Sequence, residues 1–112
     1  FLNQKKSGQP LTITGDGNQT RDFTHVRDVV HANLLAMASK KARKGEVMNI
    51  GAGKNYSVNH IAELIGGSKQ YVSPRIEPKH TLADNSLAKK LLGWRPKEKL
   101  EKAIKELLTL DT

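Results

Sequence analysis

The chain has 112 residues and no cysteine, which fits one small domain, excludes disulfides and thiolate metal sites, and agrees with a cytoplasmic location. No apolar run approaches the ~18–20 residues that a membrane span needs, and Phe1 to Lys6 lacks the apolar centre of a secretory signal. The net charge of +8 suits an anionic partner (nucleic acid, acidic lipid or a nucleotide diphosphate) or a merely solvated surface.

In chain order, Phe1 to Lys6 reads as the end of a helix, with Gly8 as terminator and Pro10 beyond it. Leu11-Thr12-Ile13-Thr14 is short and rich in β-branched residues, so it reads as a strand. Asp16-Gly17 suits a tight turn, and Arg21 to Thr24 reads as a second extended piece. Val26, Val29, Val30, Asn33, Leu34 and Met37 recur at helical spacing and predict a helix from about His25 to Ser39 with that face inward. Lys40, Lys41, Arg43 and Lys44 are expected at its C-terminal end, where cations complement the macrodipole, with Gly45 closing it.

Glu46 to Ile50 reads as a brief strand ending at Gly51-Ala52-Gly53. Ser57 is the expected N-cap of a helix carrying Val58, Ile61, Ala62 and Ile65 on one face, stopped by Gly66-Gly67. Gln70 to Val72 reads as a strand, and Ser73 to Pro78 as a loop bounded by prolines. Asp84 is expected to cap a short helix with Leu87, Ala88, Leu91 and Leu92, closed by Gly93. Pro96 suits the first turn of a last helix with Leu100, Ala103, Ile104, Leu107 and Leu108 inward. The expectation is a single compact α/β domain over residues 1–112, with more helix than strand.

Arg21 is the first candidate for chemistry. Its guanidinium offers five donors in a planar fork that matches a diphosphate, and an extended segment beside a glycine turn can present that fork to a cleft. The plainer reading is an ion pair with Asp22 or Asp28, or a solvated side chain.

The run Gly15-Asp16-Gly17-Asn18-Gln19-Thr20-Arg21-Asp22-Phe23-Thr24-His25-Val26-Arg27-Asp28-Val29 resembles a signature of the nucleotide-sugar epimerases and dehydratases, within the extended short-chain dehydrogenase/reductase family. Two later stretches resemble the same family: Met48-Asn49-Ile50-Gly51-Ala52-Gly53 with Ser57-Val58, and Pro74-Arg75-Ile76-Glu77-Pro78 with Ala83-Asp84-Asn85-Ser86 through Leu92-Gly93-Trp94-Arg95-Pro96. The nearest branch is that of UDP-glucose 4-epimerase. The resemblance implies a small, helix-rich C-terminal substrate-binding part of such an enzyme, lacking most of the Rossmann domain. It implies diphosphate contacts for Arg21 and Arg75 and a ribose contact for Glu77, although here the glycine usual between Arg and acid is missing and the spacing is one residue shorter. Asp22, Asp28 and Asn49 are implied to be structural members of the motifs. The implied partner is a nucleotide diphosphate-sugar. The family's cofactor is NAD, and its chemistry is oxidation at the sugar's C4, rotation of the keto-sugar and return of hydride.

Two features of that chemistry are not found in this sequence. Gly51-Ala52-Gly53 is followed by Tyr56 where a dinucleotide-binding turn has its third glycine, and neither Tyr56 nor Tyr71 is followed by Lys four residues on. The chain alone is therefore expected to bind no NAD, to supply no catalytic residue and to contribute substrate grip only. Its expected associates are an N-terminal Rossmann partner or a second copy. His25 and His31 do not share a helix face, and His60 and His80 are isolated, so no metal site is expected. Trp94 reads as a hydrophobic clamp beside Gly93 and Pro96. Two alternatives remain open: a small basic nucleic-acid-binding module, against which the lysines of the last helix alternate with Glu98, Glu101 and Glu106, and a self-associating remnant of a truncated epimerase.

Overall fold

Local chemistry places most elements of the computed structural model, which describes residues 1–110. In chain order they are α1 (Leu2–Lys6), β1 (Leu11–Thr14), β2 (Thr20–Arg21), α2 (Val26–Ala38), β3 (Tyr56–Ser57), α3 (Val58–Ile65), β4 (Lys69–Val72), α4 (Ser86–Leu92) and α5 (Leu100–Leu108). This mixture of helix and strand is that of an α/β protein. The chain divides into two compact units: one from Phe1–Arg21, Tyr56–Thr81 and 99–110, the other from Asp22–Asn55 and Leu82–Glu98.

In the first unit β1 pairs in parallel with β4, with Leu11 opposite Lys69 and Thr14 opposite Val72. The two extended pieces β1 and β2 lie in separate sheets and do not form a hairpin. Instead β2 pairs antiparallel with β3, with Arg21 opposite Tyr56. Leu11 and Ile13 point from one face of β1 into a core with Ile61, Ala62 and Ile65 of α3 and Ile104 of α5. The i, i+4 pair Ile61–Ile65 explains that α3 face, and Ser57 Oγ accepts the His60 N–H to cap it at 3.0 Å. In α5, Ala103 and Ile104 are buried, but Leu107 faces outward rather than into the core.

The second unit has Ala32, Ala88 and Trp94 at its centre, with Leu35, Met48, Ile50 and Leu92 packed against them. The Trp94 indole N–H donates to the Asp28 carbonyl at 2.9 Å, which fixes the ring against α2. His25 Nδ1 accepts the Arg27 N–H at 2.9 Å and caps α2.

Several expected elements differ. The face of α2 that packs carries Asp28 and Ala32, while Val26, Val30, Leu34 and Met37 are exposed, Met37 at 84%. The helix ends at Ala38, because the Ser39 hydroxyl takes the Lys41 and Ala42 N–H groups and starts a turn. The basic run therefore lies beyond the helix and not in its last turn. Residues 46–50 form no strand among the described residues; Met48 and Ile50 pack inward while Val47 and Asn49 face out, a strand-like alternation without a ladder. Asp84 does not cap α4: it lies one residue before the N-cap position, which Asn85 holds, and its Oδ1 accepts the Ser86 N–H at 3.0 Å. The last helix starts at Leu100 and not at Pro96, because Lys97 and Glu98 donate their N–H groups to the Asp28 carboxylate at 2.9 and 3.2 Å.

Candidate functional site

The glycine turn after β1 forms one wall of an open concavity in the first unit. Gly17 has φ +76°, a conformation that L side chains rarely adopt, and a Cβ there would overlap the Asn59 amide. That amide is the reason for the close approach: Asn59 Nδ2 donates to the Asp16 carbonyl at 2.9 Å and to Asn18 Oδ1 at 3.1 Å, and the Tyr71 hydroxyl donates to Asn59 Oδ1 at 3.0 Å. The turn is thus held from α3 and β4 at once. Opposite it runs the segment from Pro74 to Lys79.

The concavity has a volume of about 490 Å³, and its lining includes Asp16, Gln19, Arg75, Glu77 and Lys79. Arg75 and Glu77, both named from the sequence, therefore share one space. Arg21 is not a lining residue but is joined to it: its Nη2 lies 3.4 Å from Glu77 Oε2. Its Nη1 donates to the Thr20 carbonyl at 2.7 Å and the Lys79 carbonyl at 3.4 Å. The ion-pair partner of Arg21 is thus Glu77, and neither Asp22 nor Asp28. The pair is partly exposed on both sides, 25% and 36%, and such pairs contribute only about 0–1 kcal/mol.

Asp22, next in sequence, belongs to the second unit. Its carboxylate collects donors: Ala52 N–H at 2.9 Å and the Thr24 hydroxyl at 3.2 Å on Oδ1, Gly53 N–H at 2.9 Å and Ala83 N–H at 3.2 Å on Oδ2. Gly51 sits so close that a Cβ there would overlap Ala83 Cβ and press on Asp22 Oδ2 at 3.0 Å. Asn85, buried at 6%, donates to the Gly51 carbonyl at 2.8 Å. The Gly51-Ala52-Gly53 loop is therefore tied down through its amides. Those N–H groups are the donors a dinucleotide pyrophosphate uses in a glycine-rich turn, and here Asp22 already takes two of them, so the loop does not fit NAD. Asp28 is buried at 4% and holds the 94–98 segment to α2. Asn49 is exposed and is not among the residues that line the concavity.

The histidines have separate tasks. His25 caps α2, His60 stacks on Tyr56 with ring centroids 5.5 Å apart, and His80 Nδ1 lies 2.7 Å from Thr20 Oγ1. Three residues of the site were not singled out from the sequence. Gln19 and Lys79 belong to no arginine–acid pair in the sequence, and Asn59, the second residue after the Ser57 N-cap, reads as ordinary helix.

Comparison with known proteins adds an independent line. The profile of the NAD dependent epimerase/dehydratase family matches residues 1–51. A UDP-glucuronate 4-epimerase from Thermodesulfobacterium geofontis is 40% identical over 105 residues, covering 87% of this chain and 32% of that protein. The crystal structure of the Bacillus cereus UDP-glucuronic acid 4-epimerase, in complex with UDP-glucuronic acid and NAD, superposes with a TM-score of 0.86 at 35% identity, over 93% of this chain and 35% of that one. The UDP-glucose 4-epimerase of Thermotoga maritima, solved with UDP-glucose, gives 0.86 at 35% identity, over 96% of this chain and 36% of that one. The chain thus spans about a third of the length of the relatives it matches. No helix among the described residues is long and apolar enough to cross a membrane.

Proposed function

The chain belongs to the NAD dependent epimerase/dehydratase family, and from that premise we propose that residues 1–112 are the C-terminal substrate-binding part of a UDP-glucose 4-epimerase-like enzyme. The ligand is a nucleotide diphosphate-sugar of the UDP class. The observation that carries this reading is the concavity lined by Arg75, Glu77 and Lys79, with Arg21 poised behind Glu77. Arg21 and Arg75 hold the diphosphate, and Glu77 accepts from the ribose. On diphosphate arrival the weak Arg21–Glu77 pair opens, which frees one carboxylate oxygen for a sugar hydroxyl. The engaged amides of Ala52 and Gly53 support assigning NAD to a part of the family's architecture other than this loop. The chain contributes grip and orientation, and the exposed stripe of α2 supports association with an N-terminal Rossmann partner or with a second copy.

Calorimetric titration with UDP tests this reading. Arg21→Ala and Arg75→Ala should each weaken binding by about 1.5–3 kcal/mol, the worth of a charge-assisted hydrogen bond. Affinity unchanged in both variants contradicts the site. A steep salt dependence with duplex or single-stranded nucleic acid, in the absence of UDP binding, would favour a basic nucleic-acid module instead.

A further inference from the structure

We infer that Gln19 is the positioning residue for Glu77, an inference that rests on the reading of the concavity given above. Glu77 sits in the irregular segment between Pro74 and Pro78, where no helix or ladder fixes its side chain. Among the described residues its carboxylate has two partners, one per oxygen: Gln19 Nε2 at 3.3 Å from Oε1 and Arg21 Nη2 at 3.4 Å from Oε2. The first of these is the more durable when an anion binds. Arg21 is the group that a diphosphate recruits, whereas the neutral amide of Gln19 gains nothing from a phosphate comparable to what a cation gains. Gln19 therefore keeps Oε1 in place while Oε2 turns to a ligand hydroxyl.

Gln19 is built for holding. Its backbone carbonyl accepts the Val58 N–H at 3.0 Å at the start of α3. The next residue, Thr20, donates its N–H to the Lys79 carbonyl at 2.8 Å and accepts the Thr81 N–H at 3.1 Å. The side chain spans from β1 to the Glu77 segment, because Nε2 also donates to the Thr14 carbonyl at 3.1 Å. A backbone carbonyl and a carboxylate are both acceptors, so the NH₂ end of the amide, and not its oxygen, must face them. This fixes the orientation of the amide, whose two hydrogens face Glu77 Oε1, the Thr14 carbonyl and, at 3.4 Å, Thr14 Oγ1. A glutamate in its place would set carboxylate against carboxylate.

Affinity for UDP and for 2′,3′-dideoxy-UDP, which lacks the ribose hydroxyls, measures whether Glu77 is in position. The wild-type chain should favour UDP by roughly tenfold or more, the worth of a hydrogen bond to a charged group. Glu77→Gln and Gln19→Met should both collapse that ratio toward unity, while the affinity of Gln19→Met for the dideoxy compound stays within about threefold, because the diphosphate grip does not pass through Gln19. Equal weakening of both ligands in Gln19→Met would mean that Gln19 only supports the fold and would overturn the inference. A collapsed ratio in Glu77→Gln with an intact ratio in Gln19→Met overturns the inference and leaves the function reading standing. An intact ratio in both overturns the inference together with the ribose role of Glu77. The side-chain carboxyl ¹³C resonance of Glu77 gives a readout without ligand. It should move in Gln19→Met, and in Gln19→Ala should the first variant not fold. An unmoved resonance overturns the inference even where UDP does not bind.

Discussion

Replacing Asp22 with asparagine should be far more damaging than the similarity of the two side chains suggests. Each carboxylate oxygen accepts from two donors, Ala52 N–H and the Thr24 hydroxyl on one, Gly53 and Ala83 N–H on the other. Asparagine retains one oxygen and turns an NH₂ toward the other pair, so two hydrogen bonds are lost and donors face donors. Bonds to a charged group contribute about 1.5–3 kcal/mol each. Asp22 is half-buried, so the lower end applies, and the loss comes to about 3 kcal/mol. For a domain of this size about 1 kcal/mol moves Tm by roughly 4–8 °C, so Asp22→Asn should melt roughly 12–24 °C below wild type. Asp22→Ala should be comparably destabilised, since it too leaves backbone amides without acceptors. Thermal and urea denaturation at one fixed protein concentration provide the measurement. An Asp22→Asn chain within about 1 kcal/mol of wild type, well inside the lost-bond estimate, would refute the claim that both oxygens are required.

The chain on its own, with NAD added, should not interconvert UDP-galactose and UDP-glucose in a coupled assay; turnover that follows this polypeptide through purification would overturn that expectation. Asp84 is held below the usual aspartate range by the Ser86 hydroxyl first and by the Ser86 N–H second. A depressed carboxyl stabilises the fold above its unfolded pKa and loses that contribution as pH falls through the folded one. Ser86→Ala should therefore shift an NMR titration of Asp84 up toward the ordinary range, and an unshifted titration would remove the hydroxyl from the account. Light scattering over a dilution series should show self-association at high concentration that Leu34→Glu abolishes while circular dichroism is unchanged; a strictly monomeric wild type with no dye-accessible apolar surface would contradict this.

What could be read from the sequence was local. The β-branched run of β1, the Ser57 cap and Ile61–Ile65 face of α3, and the Gly93 stop of α4 each depend on neighbours within a few residues. What could not be read depends on distant partners. Lys97 and Glu98 look like the first turn of a helix after Pro96, but their N–H groups are drawn to Asp28. Arg21 looks paired with the acids beside it, yet Glu77 reaches it from the far end of the sequence. Arg75 and Glu77 were legible as candidates, but Gln19 became visible only once its amide was seen spanning Thr14 and Glu77.

The stripe on α2 shows why a correct period can give the wrong inside. Val26, Val30, Leu34 and Met37 have the spacing of a buried helix face, and the helix forms where they predict it. The residues that pack are others. Asp28 and Ala32 are buried, Asp28 with its carboxylate and carbonyl serving three donors, and Ala32 packed in one cluster with Ala88 and Trp94. Periodicity reports that a face is meant to be covered; it does not report by what. Large contiguous exposed apolar patches mark interaction surfaces, whereas singly scattered exposed apolar residues are ordinary. On α2 the exposed Val26, Val30, Leu34 and Met37 carry the period, and the buried Asp28 and Ala32 carry the packing.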